Sequence, residues 1–289
     1  MNIQDVCAVV VIYSPDSTAV DNLEVVANIF DKIYVIDNSE SKRNNVDLGL
    51  ICNSGSVTYV QNNDNYGIAT ALNQGVELAA KNGYLGVVLL DQDTKPNKKL
   101  LDELVYIYNE RSQVTPVAII GSNYSISAFS PKKKLFRSVS ATTVITSGSL
   151  LNIEAYRGIG PFNENYFIDG VDSEYCLRAH LNGFAVYKSA AVLIKHSIGS
   201  ETKHRLFNLT FTASNHSGLR RYYLARNTIF LCRDFFKSFP LYSLTAGINV
   251  IRNSIYILLF ESEKKIKLTC LLLGLKDGFF NISGKKVFK

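Results

Sequence analysis

The 289-residue chain has no Trp, a single Met and 6 Pro, and only 19% of its residues are charged against 47% hydrophobic. That balance excludes a disordered chain, because the apolar surface is ample to offset the entropy of ordering it. The 18 Gly show no period, so a collagen-like chain is excluded as well. Cysteine is sparse and scattered: Cys7, Cys52, Cys176, Cys232 and Cys270 form no C-x-x-C pair and are odd in number. Neither a disulfide framework nor a zinc site is expected, and structural thiols in a reducing, cytoplasmic setting are. Asp5 stands where a basic n-region would precede the first apolar run, so no signal peptide is expected. The phosphate cradles G-x-x-x-x-G-K-[ST] and G-x-G-x-x-G are missing. Residues 241–260 are apolar for much of their length, but Asn249, Arg252 and Asn253 interrupt them, short of a clean membrane span.

Charge is present but unevenly placed. Residues 215–289 hold 13 Lys/Arg and 4 Asp/Glu, a balance of +9 in a chain of net +6, which leaves the first 214 residues at −3. A basic C-terminal quarter on a mildly acidic body points to an anionic partner. An amphipathic tail lying on an anionic membrane surface is one reading. Packing of these helices on the body, or on a second subunit in a homo-oligomer, is the other. Nucleic acid is not expected, because the charges sit among long apolar helices with no recognised binding motif.

Continuous apolar runs at residues 6–13, 33–36, 57–60 and 85–90 alternate with helical spacing at 18–30 and 67–81. That is an α/β pattern with a mostly parallel central sheet covered on both faces. Beyond Pro116 come short strand-like runs at 117–120, 135–139 and 142–151, a helix at 173–182, and strands at 184–187 and 192–196. Helical spacing then fills 218–236, 241–260 and 266–280. The expected organisation is a body over 1–215, with halves meeting near 115, and a basic helical region over 216–289. The polar stretch 200–215 is the expected mobile segment.

In such sheets ligands bind beyond the carboxyl ends of the strands. Three runs end in polar residues there: Tyr13-Ser14-Pro15, Asp37-Asn38 and Asp91-Gln92-Asp93. Two carboxylates two residues apart can hold a hard divalent cation that diphosphate oxygens also bind. The competing reading makes Asp93 the cap of a following helix.

In their order, Val35-Ile36-Asp37-Asn38-Ser39, the stretch from Asn65-Tyr66-Gly67 to Asn73-Gln74-Gly75, and Leu90-Asp91-Gln92-Asp93 resemble the nucleotide-sugar half of the GT-A glycosyltransferases. The resemblance extends to the inverting family 2 enzymes and covers residues 6–235, its specificity lying in motif order. In the acceptor half, Ser147-Gly148-Ser149, Gly158-Ile159-Gly160-Pro161-Phe162 and Phe167-Ile168-Asp169-Gly170-Val171-Asp172-Ser173-Glu174 match the family's glycine loop and acidic helix start. Many relatives have Glu-Asp where this chain has Val171-Asp172, so the base position is kept and the acid before it is lost. The resemblance implies that Asp172 is the general base, which takes the proton of an acceptor hydroxyl. It implies that Asp93 and His196, the latter in His196-Ser197-Ile198-Gly199, ligate Mg²⁺ or Mn²⁺, with Asp91 assisting or contacting the donor. Tyr13, Asp37 and Asn65 would meet the nucleoside. Arg226, in Arg220-Arg221-Tyr222-Tyr223-Leu224-Ala225-Arg226-Asn227, would steady the leaving diphosphate.

The forms Asp91-Gln92-Asp93-Thr94 and 171–178 most resemble the bacterial L-rhamnosyltransferases of O-antigen and capsule assembly. That implies dTDP-β-L-rhamnose as donor and a glycan or lipid-linked glycan as acceptor, at the inner face of the cytoplasmic membrane. A UDP-sugar donor (galactofuranose, a hexose or an N-acetylhexosamine) stays open. A non-catalytic nucleotide-sugar-binding module is disfavoured because every carboxylate is present. A nucleotidyltransferase would carry a basic glycine-rich loop where this chain has Tyr13-Ser14-Pro15-Asp16.

Overall fold

The computed structural model describes residues 1–40, 55–125, 137–195, 202–206 and 209–288. The chain forms two compact units, residues 1–163 with 172–197, and residues 164–171 with 198–289.

The first unit is built on a nine-stranded sheet. The β-branched run Val6–Ile12 (β1) is buried along its whole length, as is Ile33–Asp37 (β2). Val57–Gln61 (β3) and Gly86–Asp91 (β4) follow, then Lys95–Pro96 (β5), Val117–Ser125 (β6), Ser138–Ser140 (β7), Ser149–Asn152 (β8) and Ala185–Lys195 (β9). The order is β3-β2-β1-β4-β8-β6-β9-β5, with β7 also on β9. β1 to β4, β6 and β9 share one direction, while β5, β7 and β8 run against it. This is the α/β architecture expected, mostly parallel, and its central strands are apolar on both faces because helices cover both.

Those helices are Ser17–Ala27 (α1), Ile68–Lys81 (α2), Leu100–Arg111 (α3), Ile153–Ile159 (α4) and Val171–Leu181 (α5). Asp16 caps α1 by accepting from the Ala19 N–H at 3.0 Å. α2 buries Ala69, Leu72, Val76 and Ala79, one face at helical spacing. Its Gly75 lies against β1, where a Cβ would come 2.3 Å from Val9 Cγ1. The glycine of the N-x-G stretch is therefore a packing requirement.

Three expectations change. Of residues 142–151 only the end is a strand, because the preceding segment runs over Gly121, where Val144 fills the space of a side chain. The separate strands at 184–187 and 192–196 are one strand, β9, irregularly registered on β6. Residues 200–215, expected to be mobile, include a hairpin of Thr202–Leu206 (β10) and Leu209–Ala213 (β11). That hairpin belongs to the second unit, whose longer segment runs from 198.

The second unit gathers the hairpin, Gly218–Phe235 (α6), Pro240–Phe260 (α7) and Lys264–Phe279 (α8). α8 lies close on α6: a Cβ on Gly274 would sit 2.2 Å from the Tyr222 carbonyl oxygen. Glu261, between α7 and α8, is wholly buried and takes hydrogen bonds from Arg221 and, at 3.0 Å, from Lys267. Among the described residues α7 is the one helix long and apolar enough to cross a membrane, by length and composition alone.

Cys7, Cys176, Cys232 and Cys270 are free, and burial pushes the Cys7 and Cys176 thiols up to about 12, which suits inert structural cysteines. Cys52 lies outside the described residues.

Candidate active site

Parallel registration brings the polar ends of β1, β2 and β4 to one sheet edge, with Ile12 opposite Asp37 and Val11 opposite Asp91. The Asp91-Gln92-Asp93 turn is fastened through its middle residue. Gln92 Oε1 accepts from the Tyr13 N–H at 2.8 Å and its carbonyl accepts from Asn22 Nδ2 at 2.9 Å. Ser147 Oγ accepts from the Asp91 N–H at 3.2 Å and shares a 2.5 Å hydrogen bond with Thr94 Oγ1. The turn is thus rigid, with Asp91 half-buried and Asp93 exposed.

Of the residues expected at the nucleoside, Asp37 is turned inward and Asn65 stays half-buried. Asp37 is completely buried, its Oδ1 accepting from the Ser39 N–H at 2.9 Å and its Oδ2 from the Tyr59 hydroxyl at 2.5 Å. Its carboxylate shapes the turn after β2 and does not present itself to a base or ribose. Asn65 belongs to a network in which Asn38 Nδ2 and the Gly67 N–H donate to its Oδ1 at 3.1 and 3.0 Å. Asn62 Nδ2 and the Tyr66 N–H in turn donate to Asn38 Oδ1. This network holds out Tyr66, which is half exposed. Asn73 likewise ties helix α2 to Tyr156 and both backbone groups of Phe162.

Ser14, not singled out from sequence, stands beside the half-buried Tyr13 in the left-handed region (φ 47°). Its N–H donates to Ser39 Oγ at 2.7 Å, and its own hydroxyl is buried with no hydrogen-bond partner. A strained residue at a strand end with an unused donor is a site signal that Ser-Pro alone does not carry.

Asp172 occupies the first turn of α5, half-buried, its Oδ1 accepting from the Ser173 N–H at 2.7 Å. The contacts of α5 step back along one segment. His180 Nε2 lies 3.2 Å from the Ala141 and Thr142 carbonyls, and Cys176 Sγ donates to Val144 O at 3.8 Å. The same segment ends at Ser147, the residue that fastens the β4 turn. Glu174 and Arg178 have another task. They pair at 2.8 and 2.9 Å, and Arg178 also donates to the carbonyls of Ile159, Gly160 and Pro161. The acidic helix start so holds the glycine loop.

In the second unit, Arg226 is fully buried, which corrects its expected place at the leaving diphosphate. Nη2 donates to the Asn165 and Tyr166 carbonyls at 3.0 and 2.9 Å, Nη1 to Gly284 O at 2.7 Å and Nε to Asn227 Oδ1 at 2.9 Å. Asn227 Nδ2 donates to the carbonyls of Tyr166, Ile168 and Asp169 at 2.9, 2.8 and 2.6 Å. The pair clamps a loop that contains three left-handed residues, Phe167, Asp169 and Gly170. Arg220 reaches Asp169 at 3.1 Å, yet burial outweighs it and lifts the Asp169 carboxyl above its ordinary range.

The cation implied by the resemblance meets a partial donor set. Among the described residues no group of three His, Cys, Asp or Glu is placed to hold a metal. Asp91 and Asp93 supply hard oxygen donors suited to Mg²⁺ or Mn²⁺, which commonly takes its remaining ligands from substrate phosphates and water. β9 ends at Lys195, opposite Lys95 two residues after Asp93, and His196 is the next residue, outside those described. The donor chemistry fits.

No protein-family model matches the chain. Over 236 residues it is 27% identical to the dTDP-rhamnosyl transferase RfbF of Shigella flexneri, covering 76% of this chain and 77% of that protein. Its structure is similar to S. aureus TarS 1–349, with a TM-score of 0.61 at 12% identity over 94% of this chain and 80% of the other. The same TarS segment in complex with UDP-GlcNAc gives 0.51 at 14% identity, over 96% and 73%. The fold is that of the GT-A glycosyltransferases. The chain is thus similar in sequence to a dTDP-rhamnosyl transferase and in fold to the glycosyltransferase TarS.

Proposed function

We propose that the chain transfers L-rhamnose from dTDP-β-L-rhamnose, with inversion, to a hydroxyl of a glycan acceptor. One observation carries the reading: in a chain similar to a dTDP-rhamnosyl transferase, one segment bonds both the β4 carboxylate turn, through Ser147, and the middle of the helix that has Asp172 in its first turn, through Val144 and Cys176. Asp172 takes the proton of the acceptor hydroxyl as its oxygen attacks the anomeric carbon from the face opposite the diphosphate. The anomeric C–O bond breaks, dTDP leaves, and the β-linked donor becomes an α-linked rhamnoside. Asp93 and Asp91, with His196, would hold Mg²⁺ or Mn²⁺, which would neutralise the charge of the diphosphate. Tyr13 and Ser14 face the nucleoside.

A lipid-linked glycan at the inner face of the bacterial cytoplasmic membrane suits the +9 balance of residues 215–289, since a lipid diphosphate and anionic headgroups both attract it. A UDP-sugar donor is the second reading, favoured by the structural likeness to TarS in complex with UDP-GlcNAc.

Calorimetry of dTDP-rhamnose, UDP-galactose, UDP-glucose and UDP-GlcNAc, with and without Mn²⁺, tests this. Selective, Mn²⁺-dependent binding of dTDP-rhamnose is expected. Preference for a UDP-sugar would overturn the donor and keep the mechanism, while binding of none would overturn the catalytic reading.

A further inference from the structure

Helix α7 presents a face that nothing among the described residues covers. Leu241, Leu244, Ile248, Ile251, Ile255 and Leu258 are 47–78% exposed, although all are aliphatic. Its opposite face is the one packed inward, through buried Ser243 and Ile257, with Val250 against the cluster of Ala225, Ile257 and Leu271. The exposed residues follow one another at intervals of 3, 4, 3, 4 and 3, the a/d spacing of a coiled-coil seam. An ordinary surface helix shows neither this spacing nor this exposure.

We infer that this seam is a dimer interface, and that its occupant is the α7 seam of a second copy of the chain. The residue types choose the partner and the number of strands. The a positions are Leu241, Ile248 and Ile255, and the d positions are Leu244, Ile251 and Leu258. Two of the three a positions are β-branched and two of the three d positions are Leu, and β-branched residues at a with Leu at d favour two parallel strands. A straight, uncharged stripe is complementary to itself, as an interface about a two-fold axis requires. The flanking positions raise no barrier: Arg252 at e would stand across from Gly247 at g of the partner, with no like charge beside it. Gly247 also has open space where a Cβ would be, so nothing among the described residues explains a glycine inside this helix. It weakens the helix, and a closely approaching second helix accounts for it.

A bilayer is the less fitting occupant. The flank of α7 carries Thr245, Asn249 and Asn253 with Arg252 its one cation, whereas helices lying in a membrane surface have a polar face rich in Lys and Arg. A helix pair of this length is a small interface, so the dimer forms at micromolar concentrations and above.

Sedimentation velocity on the full chain from about 1 to 100 μM is the test. The expected result is a concentration-dependent shift from 32.2 kDa to twice that mass. The double variant Ile248→Glu/Ile255→Glu should remain monomeric with an unchanged melting temperature and helix content, and Asn249→Glu, off the seam, should still dimerise. Should the double variant misfold, Ile251→Cys with a short bismaleimide gives an independent reading, an added cross-linked dimer that the unmodified chain does not form. A monomer throughout would overturn the proposal, as would a dimer indifferent to the double variant. So would a lipid-free monomer that floats with phosphatidylcholine/phosphatidylglycerol vesicles through this same seam.

Discussion

Glu261→Gln replaces the one negative charge among two buried positive ones. The Arg221, Glu261 and Lys267 side chains are 2%, 0% and 3% exposed, and Glu261 receives both cations, one on each carboxylate oxygen. Arg221 Nε and Nη1 already lack hydrogen-bond partners among the described residues, and Asp169, the other anion that acts on the guanidinium, is itself paired with Arg220. Removing one partner of a buried ion pair costs about 3–5 kcal/mol, because the other is left buried and uncompensated. Here two cations are left, which puts the loss at the upper end, about 5 kcal/mol. Against a total stability of roughly 5–15 kcal/mol that is a third or more. At about 2–4 °C per kcal/mol for a chain of more than about 150 residues, the transition should fall by roughly 10–20 °C. Calorimetric melting of the purified chain measures it. The triple variant Arg221→Met/Glu261→Leu/Lys267→Met, which removes every charge at similar volume, should recover most of the loss. A Glu261→Gln chain melting within a degree or two of the parent would refute the reasoning, since the two cations would then be reaching water or another anion.

Four further outcomes are expected. Asp172→Asn should keep donor affinity in calorimetry while turnover falls about 10²–10⁴-fold; near-normal transfer would remove the base assignment. Asp93→Ala should abolish the Mn²⁺-dependent part of donor binding and leave any metal-independent part, and undiminished Mn²⁺ dependence would contradict the ligand role. Asn227→Leu strips three carbonyls of their donor, a loss of about 1–3 kcal/mol per buried group, so both melting temperature and turnover should drop; unchanged turnover would show that the 165–169 loop does not bear on Asp172. His216 is held down to about 4 by burial and then by Arg220 and Arg221. Its folded value thus lies below the unfolded value near 6.5, unfolding takes up a proton between them, and stability should fall as pH drops from 6.5 toward 4. Chemical denaturation at stepped pH checks this, and His216→Gln should flatten that part of the profile.

The sheet could be read from sequence where its signal is local. Val6–Ile12 and Gly86–Asp91 are apolar on both faces and of strand length, so type and place follow from the run itself. Residues 142–148 are also rich in β-branched residues and are not a strand, because Val144 is used to fill the space over Gly121, a partner that only the fold reveals. The short helix Ile153–Ile159, capped by Asn152, gave too few turns for its period to register. At the site, the Asp91-Gln92-Asp93 turn and Asp172 were visible because they sit where chain and sheet must place them, after a buried strand and at a helix start. Gln92 was invisible: it reads as the spacer of D-x-D, yet its side chain and carbonyl join the ends of β1, β4 and α1.

Asp37 and the Arg226-Asn227 pair misled for one physical reason. A charged or amide side chain at fixed spacing suggests a ligand contact, but the backbone of an irregular loop competes for the same groups, since its buried carbonyls must find donors somewhere. Residues 165–169 are such a loop. Phe167 and Asp169, at φ 60° and 63°, hold a conformation that costs about 1–3 kcal/mol for a residue with a side chain, so contacts from elsewhere must impose it. Those contacts come from Arg226 and Asn227, some sixty positions along the chain. Only Gly170 marks the loop in sequence, because glycine alone takes φ 82° without strain. The clamped loop ends two residues before Asp172. A stretch that reads as a diphosphate site is therefore better understood as fixing the backbone that leads into the proposed base, and its mutation should register in turnover before it registers in donor binding.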